Sequence, residues 1–265
     1  MRIRVRTPCR AEKIAPGVDI PDGLWYTVVQ TERKRNGFKT GEETMNYIQP
    51  LHGLKCFLFD LDGTLLDSMP LWDRVYLQTL EKFGRAVPSD YLMHVNHLSV
   101  RDGAVYTVQS LGLDTTPEEI IRIWTSLGEA AYRDSILLKP HAADLLRLLH
   151  ADGKTLGIAT ALGKGFFESC LQRNGVLRLF SASTSVEEVG RGKDSPAIYL
   201  RACEKAGASP AETAVFEDSL TGAVSAKSAG FFVVGVYDAS AEAQRAEMIR
   251  TADLYITDYR ELMYD

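Results

Sequence analysis

Four cysteines among 265 residues (Cys9, Cys56, Cys170 and Cys203) are too scattered for a disulfide framework, and no Cys-x-x-Cys pair occurs. The pattern predicts reduced thiols and a cytoplasmic protein. No apolar run reaches the roughly 18 residues of a membrane-spanning helix. Arg2, Arg4 and Arg6 are not followed by an apolar stretch, so the N-terminus does not read as a secretory signal. Internal repeats and low-complexity tracts are absent. Positive charge is also short: 30 Lys and Arg face 35 Asp and Glu, a net −5. Residues 1–44 carry +3 and the remainder −8. An acidic body argues against nucleic-acid binding. It still leaves room for a phosphorylated small molecule, whose charge a local Lys and a metal ion can offset. Apolar content of 45% and charged content of 25% are those of an ordinary globular chain long enough for one or two domains.

What is present is organised around Phe57-Leu58-Phe59-Asp60-Leu61-Asp62-Gly63-Thr64-Leu65-Leu66-Asp67-Ser68. Cys56 to Phe59 is unbroken apolar sequence ending in a carboxylate, which predicts a buried central strand. Asp60 is then expected at the strand's carboxyl end, where open α/β sheets bind ligands. Extended geometry predicts Asp60 and Asp62 on one side of the chain, with Gly63 turning the backbone away. Two adjacent carboxylates repel, and a hard oxygen-liganded cation such as Mg²⁺ relieves them. Asp-Gly by itself is equally ordinary turn chemistry.

Residues 1–44 differ from the rest and are expected to form a small N-terminal extension, β-rich or flexible. Strand candidates lie at Met1 to Thr7 and Leu24 to Thr31, and Arg33-Lys34-Arg35 reads as a solvated turn. From Met69 to Leu138, apolar residues at three-to-four spacing predict helices (Leu71, Val75, Leu80; Ile120, Trp124, Leu127). So long an insertion is expected to be a separate helical cap over the sheet, spanning 69–138. Trp72, Tyr76 and Trp124 fall on its apolar faces and are expected in the core. His94 and His97 have no further ligands nearby and read as surface or packing. From Lys139 onward strands and helices alternate, which predicts a parallel sheet with helices on both faces. The expected core is thus 45–68 with 139–265.

Three more stretches end predicted strands with polar chemistry. Leu156 to Ala161 is an apolar strand closing in Thr160, able to donate to a phosphoryl oxygen or to cap the next helix. Lys193 sits on the Gly-bracketed loop Gly190-Arg191-Gly192-Lys193-Asp194-Ser195-Pro196, as a site cation or a solvated loop residue. Lys164 and Arg191 are lesser candidates for phosphate contacts. Ala214 to Ser219 places Glu217 and Asp218 at a strand end, as metal ligands or with Asp218 as a helix cap.

In this order the four stretches resemble the four motifs of the haloacid dehalogenase-like hydrolase superfamily, over Leu54 to Asp265. The helical insertion, Glu217-Asp218-Ser219 and Ala226-Lys227-Ser228-Ala229-Gly230 are similar to the β-phosphoglucomutase and phosphoglycolate-phosphatase-like group. In the third motif Asp194 stands where the family has Pro and Ala197 where it has an acid, while Lys193 and Pro196 match. The resemblance implies a Rossmann-like α/β core with an inserted helical cap. It implies a Mg²⁺-dependent phosphatase of a small phosphorylated metabolite, a monomer working through an aspartyl-phosphate. Asp60 is then the nucleophile and Asp62 the acid and base. Asp60, the backbone carbonyl of Asp62, Asp218 and Glu217 are the metal set, and Thr160, Ala161 and Lys193 contact the phosphoryl group. Dehalogenases lack the second Asp and phosphonate-cleaving members also depart there, so Asp62 argues against both. A sugar phosphate mutase remains the alternative, with Arg101 as a candidate for a distal phosphate or a surface helix residue. A non-catalytic phosphate-binding module is the remaining reading.

Overall fold

The computed structural model describes residues 46–95 and 98–264. The expectations for the 1–44 extension, including Cys9, its two strands and Arg33-Lys34-Arg35, and for His97 lie outside those residues. The core is a Rossmann-like α/β arrangement around six parallel strands. Strand β2 (Cys56–Phe59) is bordered by β3 (Thr155–Thr160), then β4 (Ala182–Ser185), on one side. On its other side lie β5 (Thr213–Glu217), β6 (Phe232–Val236) and β7 (Leu254–Ile256). The chain runs outward from β2 to β4 and returns to β5 on the opposite flank. The strand order reverses at β2 and β5, and open α/β sheets bind ligands at the carboxyl ends of strands beside such a reversal. Lateral order explains the composition of β2: with strands on both edges and helices on both faces, all four residues are fully buried. Each buried Phe or Leu there contributes about 1.5–3 kcal/mol.

Five helices lie between β2 and β3: α1 (Met69–Lys82), α2 (Tyr91–Val95), α3 (Val100–Leu111) and α4 (Pro117–Asp134) form one insertion, and α5 (Ala142–Ala151) follows it. Helix α4 begins where the Thr116 hydroxyl accepts the Glu119 amide at 3.2 Å, with Pro117 in the first turn. Its buried residues Ile120, Trp124, Gly128 and Tyr132 recur every fourth position, one stripe facing inward. Gly128 leaves room for Phe166: a Cβ there would sit 3.0 Å from the ring. Trp72, Tyr76 and Trp124 are buried as their spacing predicts, Trp124 and Tyr76 meeting edge-on at 4.8 Å. His94 is exposed, pairs with its own turn at Asp90 and stacks on Tyr106. The two connections joining the helices to the sheet bridge each other at Leu66 and Leu138, with the Asp67 amide donating to Leu137 and the Lys139 amide to Leu65. Cys56, Cys170 and Cys203 are buried free thiols.

Beyond β3 come α6 (Lys164–Arg173), α7 (Val186–Val189), α8 (Ala197–Lys205), α9 (Leu220–Ser228) and α10 (Arg245–Thr251). Two side-chain caps set boundaries here. Strand β4 ends at Ser185, whose hydroxyl accepts the amide of Glu188 and starts α7. A 3-10 turn at Ala239–Gln244, begun by the Asp238 cap, leads into α10. A two-residue antiparallel pair, β1 (Asn46–Tyr47) with β8 (Met263–Tyr264), was not predictable, since two residues carry no periodicity. No helix among the described residues is long and apolar enough to cross a membrane.

Gly157 of β3 lies opposite Leu58 of β2, and a Cβ on it would fall 2.7 Å from Leu58 Cδ2. Gly157→Ala should therefore lose about 1–3 kcal/mol of stability by overpacking. Combined with Leu58→Val, the loss should be smaller than the sum of the two single changes, as measured by urea unfolding. Strict additivity would show that this contact is not the cause.

Candidate active site

Strand pairing carries β2 and β5 side by side up to Phe59 opposite Phe216, and the Asp60 amide still donates to the Phe216 carbonyl at 3.1 Å. Asp60 and the pair Glu217-Asp218 therefore emerge together. One oxygen from each of Asp60, Glu217 and Asp218 lies within 4.8 Å of the others. The Lys193 side chain reaches this group from the loop after α7. Its Nζ contacts Asp60 Oδ1 and lies 2.5 Å from Glu217 Oε1, with only 14% of the side chain exposed. The ammonium is thus buried against two carboxylates and not solvated.

Each acid is held by donors of its own. Glu217 accepts the Tyr199 hydroxyl at 2.7 Å on Oε1 and the Ser219 hydroxyl at 2.9 Å on Oε2. Asp218 and Thr64 clamp each other: the Thr64 hydroxyl donates to Asp218 Oδ1 at 2.9 Å and accepts the Asp218 amide at 3.0 Å. The Thr64 carbonyl accepts the hydroxyl of buried Tyr259. Asp218 is not the helix cap that its position allowed; Ser219 takes that role, accepting the Gly222 amide. Two glycines are required by this crowding. Gly63 has φ +74°, and a Cβ there would collide with the Asp218 carboxylate. A Cβ on Gly222 would lie 2.7 Å from the Glu217 carboxyl carbon.

Asp62 departs from the extended-chain expectation. Pairing stops at Phe59 and residues 61–66 fold into a tight turn, the Leu66 and Thr64 amides both donating to the Leu61 carbonyl. The three-acid group does not include Asp62, whose charge is nonetheless near enough to push Asp60 upward. Asp62 Oδ1 accepts hydroxyls from Ser68, at 2.5 Å, and from Tyr132, whose own oxygen accepts the Trp72 indole N–H at 3.0 Å. Thr160 stands buried at the end of β3 and accepts the Leu162 amide at 3.1 Å; Gly163, not Thr160, occupies the cap position of α6. Ala161 is exposed beside it. Arg101 is exposed on the first turn of α3, and no contact brings it to the acids. Tyr132, Tyr199 and Tyr259 escape sequence reasoning because aromatics on apolar faces read as core.

The electrostatics are unbalanced. Burial, then mutual repulsion, pushes Asp218 well above the carboxylate range. Burial also raises Asp60 and Glu217, opposed by Lys193. Burial pulls the Lys193 ammonium down, but attraction to Asp60 and Glu217 outweighs it and holds the group charged. Were all three carboxyls ionised, one ammonium would leave an excess of about two negative charges in a low-dielectric place. An all-oxygen, doubly negative group is the donor set of a hard divalent cation.

The chain is similar to known proteins. The sequence model of the haloacid dehalogenase-like hydrolase family matches residues 54–230. A Drosophila melanogaster protein named "Probable pseudouridine-5'-phosphatase" is 34% identical over 187 residues, 68% of this chain and 80% of its own. A Mycobacterium bovis protein named β-phosphoglucomutase is 30% identical over 240 residues, 79% of this chain and 92% of its own. Among solved structures, CbbY from Rhodobacter sphaeroides in complex with phosphate superposes with a TM-score of 0.68 at 23% identity, over 79% of this chain and 99% of that one. With the family model spanning more than half of its length and its four motifs gathered at one sheet edge, the chain belongs to the haloacid dehalogenase-like hydrolase family.

Proposed function

We propose that this phosphatase acts on a small phosphorylated metabolite through an aspartyl-phosphate on Asp60, with Mg²⁺ as its cofactor. The observation that carries the reading is the unbalanced acidic group with one buried ammonium beside the switch in strand order. Asp60 attacks the substrate phosphorus while Lys193 keeps its carboxylate ionised and faces the negative charge of the phosphoryl group. The Thr160 hydroxyl and the Ala161 backbone N–H donate to the phosphoryl oxygens. Asp62 gives a proton to the leaving oxygen, then takes one from the water that hydrolyses the acyl phosphate. Asp60, the Asp62 carbonyl, Asp218 and Glu217, directly or through water, would hold the ion. When bound, it cancels repulsion between nucleophile and phosphate and clamps their geometry.

A sugar phosphate mutase is the second reading, favoured by the 30%-identical relative named β-phosphoglucomutase. It would need Arg101, exposed on α3, to reach a distal phosphate of the substrate. Phosphate release measured against isomerisation of β-glucose 1-phosphate separates the two.

A panel of phosphorylated metabolites with Mg²⁺ should yield a substrate whose phosphate release falls to background in Asp60→Asn. Asp62→Asn should cost about 10²–10⁴-fold. Full activity in Asp60→Asn would overturn the nucleophile. Metal binding is read from thermal unfolding. A carboxyl raised in the folded chain keeps its proton where the unfolded chain has lost it. Stability of the metal-free protein should therefore fall as pH rises above about 4. At neutral pH, Mg²⁺ at about 100 times its Kd should restore roughly 2.7 kcal/mol, and the gain should shrink toward pH 5 as protons compete. Identical unfolding with Mg²⁺ and with a chelator at every pH would remove the metal from the proposal.

A further inference from the structure

We infer that Tyr132 is a positioning residue for Asp62, holding the carboxyl of the acid by one oxygen so that the other is presented to the substrate. The inference rests on the acid-base role proposed for Asp62 above. The Ser68 and Tyr132 hydroxyls both donate to Asp62 Oδ1. The donors come from opposite ends of the helical insertion. Ser68 immediately precedes α1, and Tyr132 lies in the last turn of α4, 70 residues from Asp62. These are the places where the chain enters and leaves the inserted helices, so the acid's orientation is referred to both at once.

The Tyr132 ring is itself fixed. It is fully buried, 6.2 Å from the ring of Trp72 and edge-on to Phe166 at 5.6 Å. The Trp72 N–H donates to its oxygen, so the phenol proton is directed at Asp62. A tyrosine serving only the core would be satisfied by Trp72 and any carbonyl. Here its donor is committed to Asp62, whose carboxylate is not one of the three that lie together. When Asp62 releases its proton to the leaving oxygen, as the bond from phosphorus to that oxygen breaks and the bond to Asp60 forms, the new carboxylate already has two hydroxyl donors on Oδ1. A charged acceptor strengthens both bonds, so the stabilisation grows along the reaction.

The test uses leaving groups of different demand. An alkoxide must be protonated as it departs; p-nitrophenolate need not be. With the full chain and Mg²⁺, Tyr132→Phe should lower kcat/KM for an alkyl phosphate by about tenfold, the order of one hydrogen bond to a charged group. For p-nitrophenyl phosphate the change should stay within roughly twofold. Trp72→Phe, which keeps the Tyr132 hydroxyl but removes the N–H that orients it, should show the same selectivity at smaller size, and carries the test if Tyr132→Phe does not fold. Asp62→Asn is the reference. If Asp62→Asn is selective for the alkyl ester and Tyr132→Phe and Trp72→Phe change both substrates equally, or neither, the role of Tyr132 is overturned while that of Asp62 stands. If Asp62→Asn is itself unselective, the acid role fails and the inference with it.

Discussion

One ammonium holds this site together. Lys193 lies between Asp60 and Glu217, and without it three carboxylates would face one another in a buried place with no charge to separate them. An isolated charge there would cost several kcal/mol, and removing the lysine would protonate the acids rather than leave them ionised. The surrounding structure is arranged so that the ammonium does not finish the neutralisation. It ties Asp60 to Glu217 and leaves Asp218, with Thr64 at its back, as an acid without a cation of its own. A fold that ended in complete neutrality would have no electrostatic reason to take up a divalent ion.

The other groups touching the acids are neutral donors, and that choice follows from the same constraint. Tyr199 binds Glu217 and Tyr132 binds Asp62, while Tyr259 supports Thr64 behind Asp218. Burial, reinforced by the neighbouring carboxylates, pushes all three phenols well above their ordinary range, so they remain protonated. A phenol orients a carboxylate without cancelling its charge, whereas a further Lys or Arg would orient and neutralise together. Packing pays for the placement: the Tyr132 ring is wedged between Trp72 and Phe166, and the Tyr259 ring stacks on Phe216 of β5 at 6.1 Å. The aromatic core and the polar site are thus one construction.

Much of this was legible in the chain. The strand Cys56–Phe59, its carboxylate end and the later strands ending in Thr160 and Glu217 follow from local runs of apolar residues interrupted by polar ones. The helices between Met69 and Asp134 follow from three-to-four spacing. Side-chain caps set boundaries that the apolar pattern does not mark, as Ser185 does in ending β4 and Asp238 in starting a 3-10 turn. What Lys193 and Asp218 touch was not legible in the chain, because their partners Asp60 and Thr64 are remote in sequence.

By itself the sequence determined which acids stand at strand ends and in what order, because a buried strand and its terminal residue are adjacent in the chain. Only the tertiary structure decided what those acids touch. Asp62 turns toward Ser68 and Tyr132 because the ladder ends at Phe59 and a tight turn follows, and its partner lies 70 residues away. Thr64 meets Asp218 across 154 residues and Tyr259 across 195. Hydrogen bonds over such separations form when strand order brings distant segments together, and they leave no periodicity behind them in the chain.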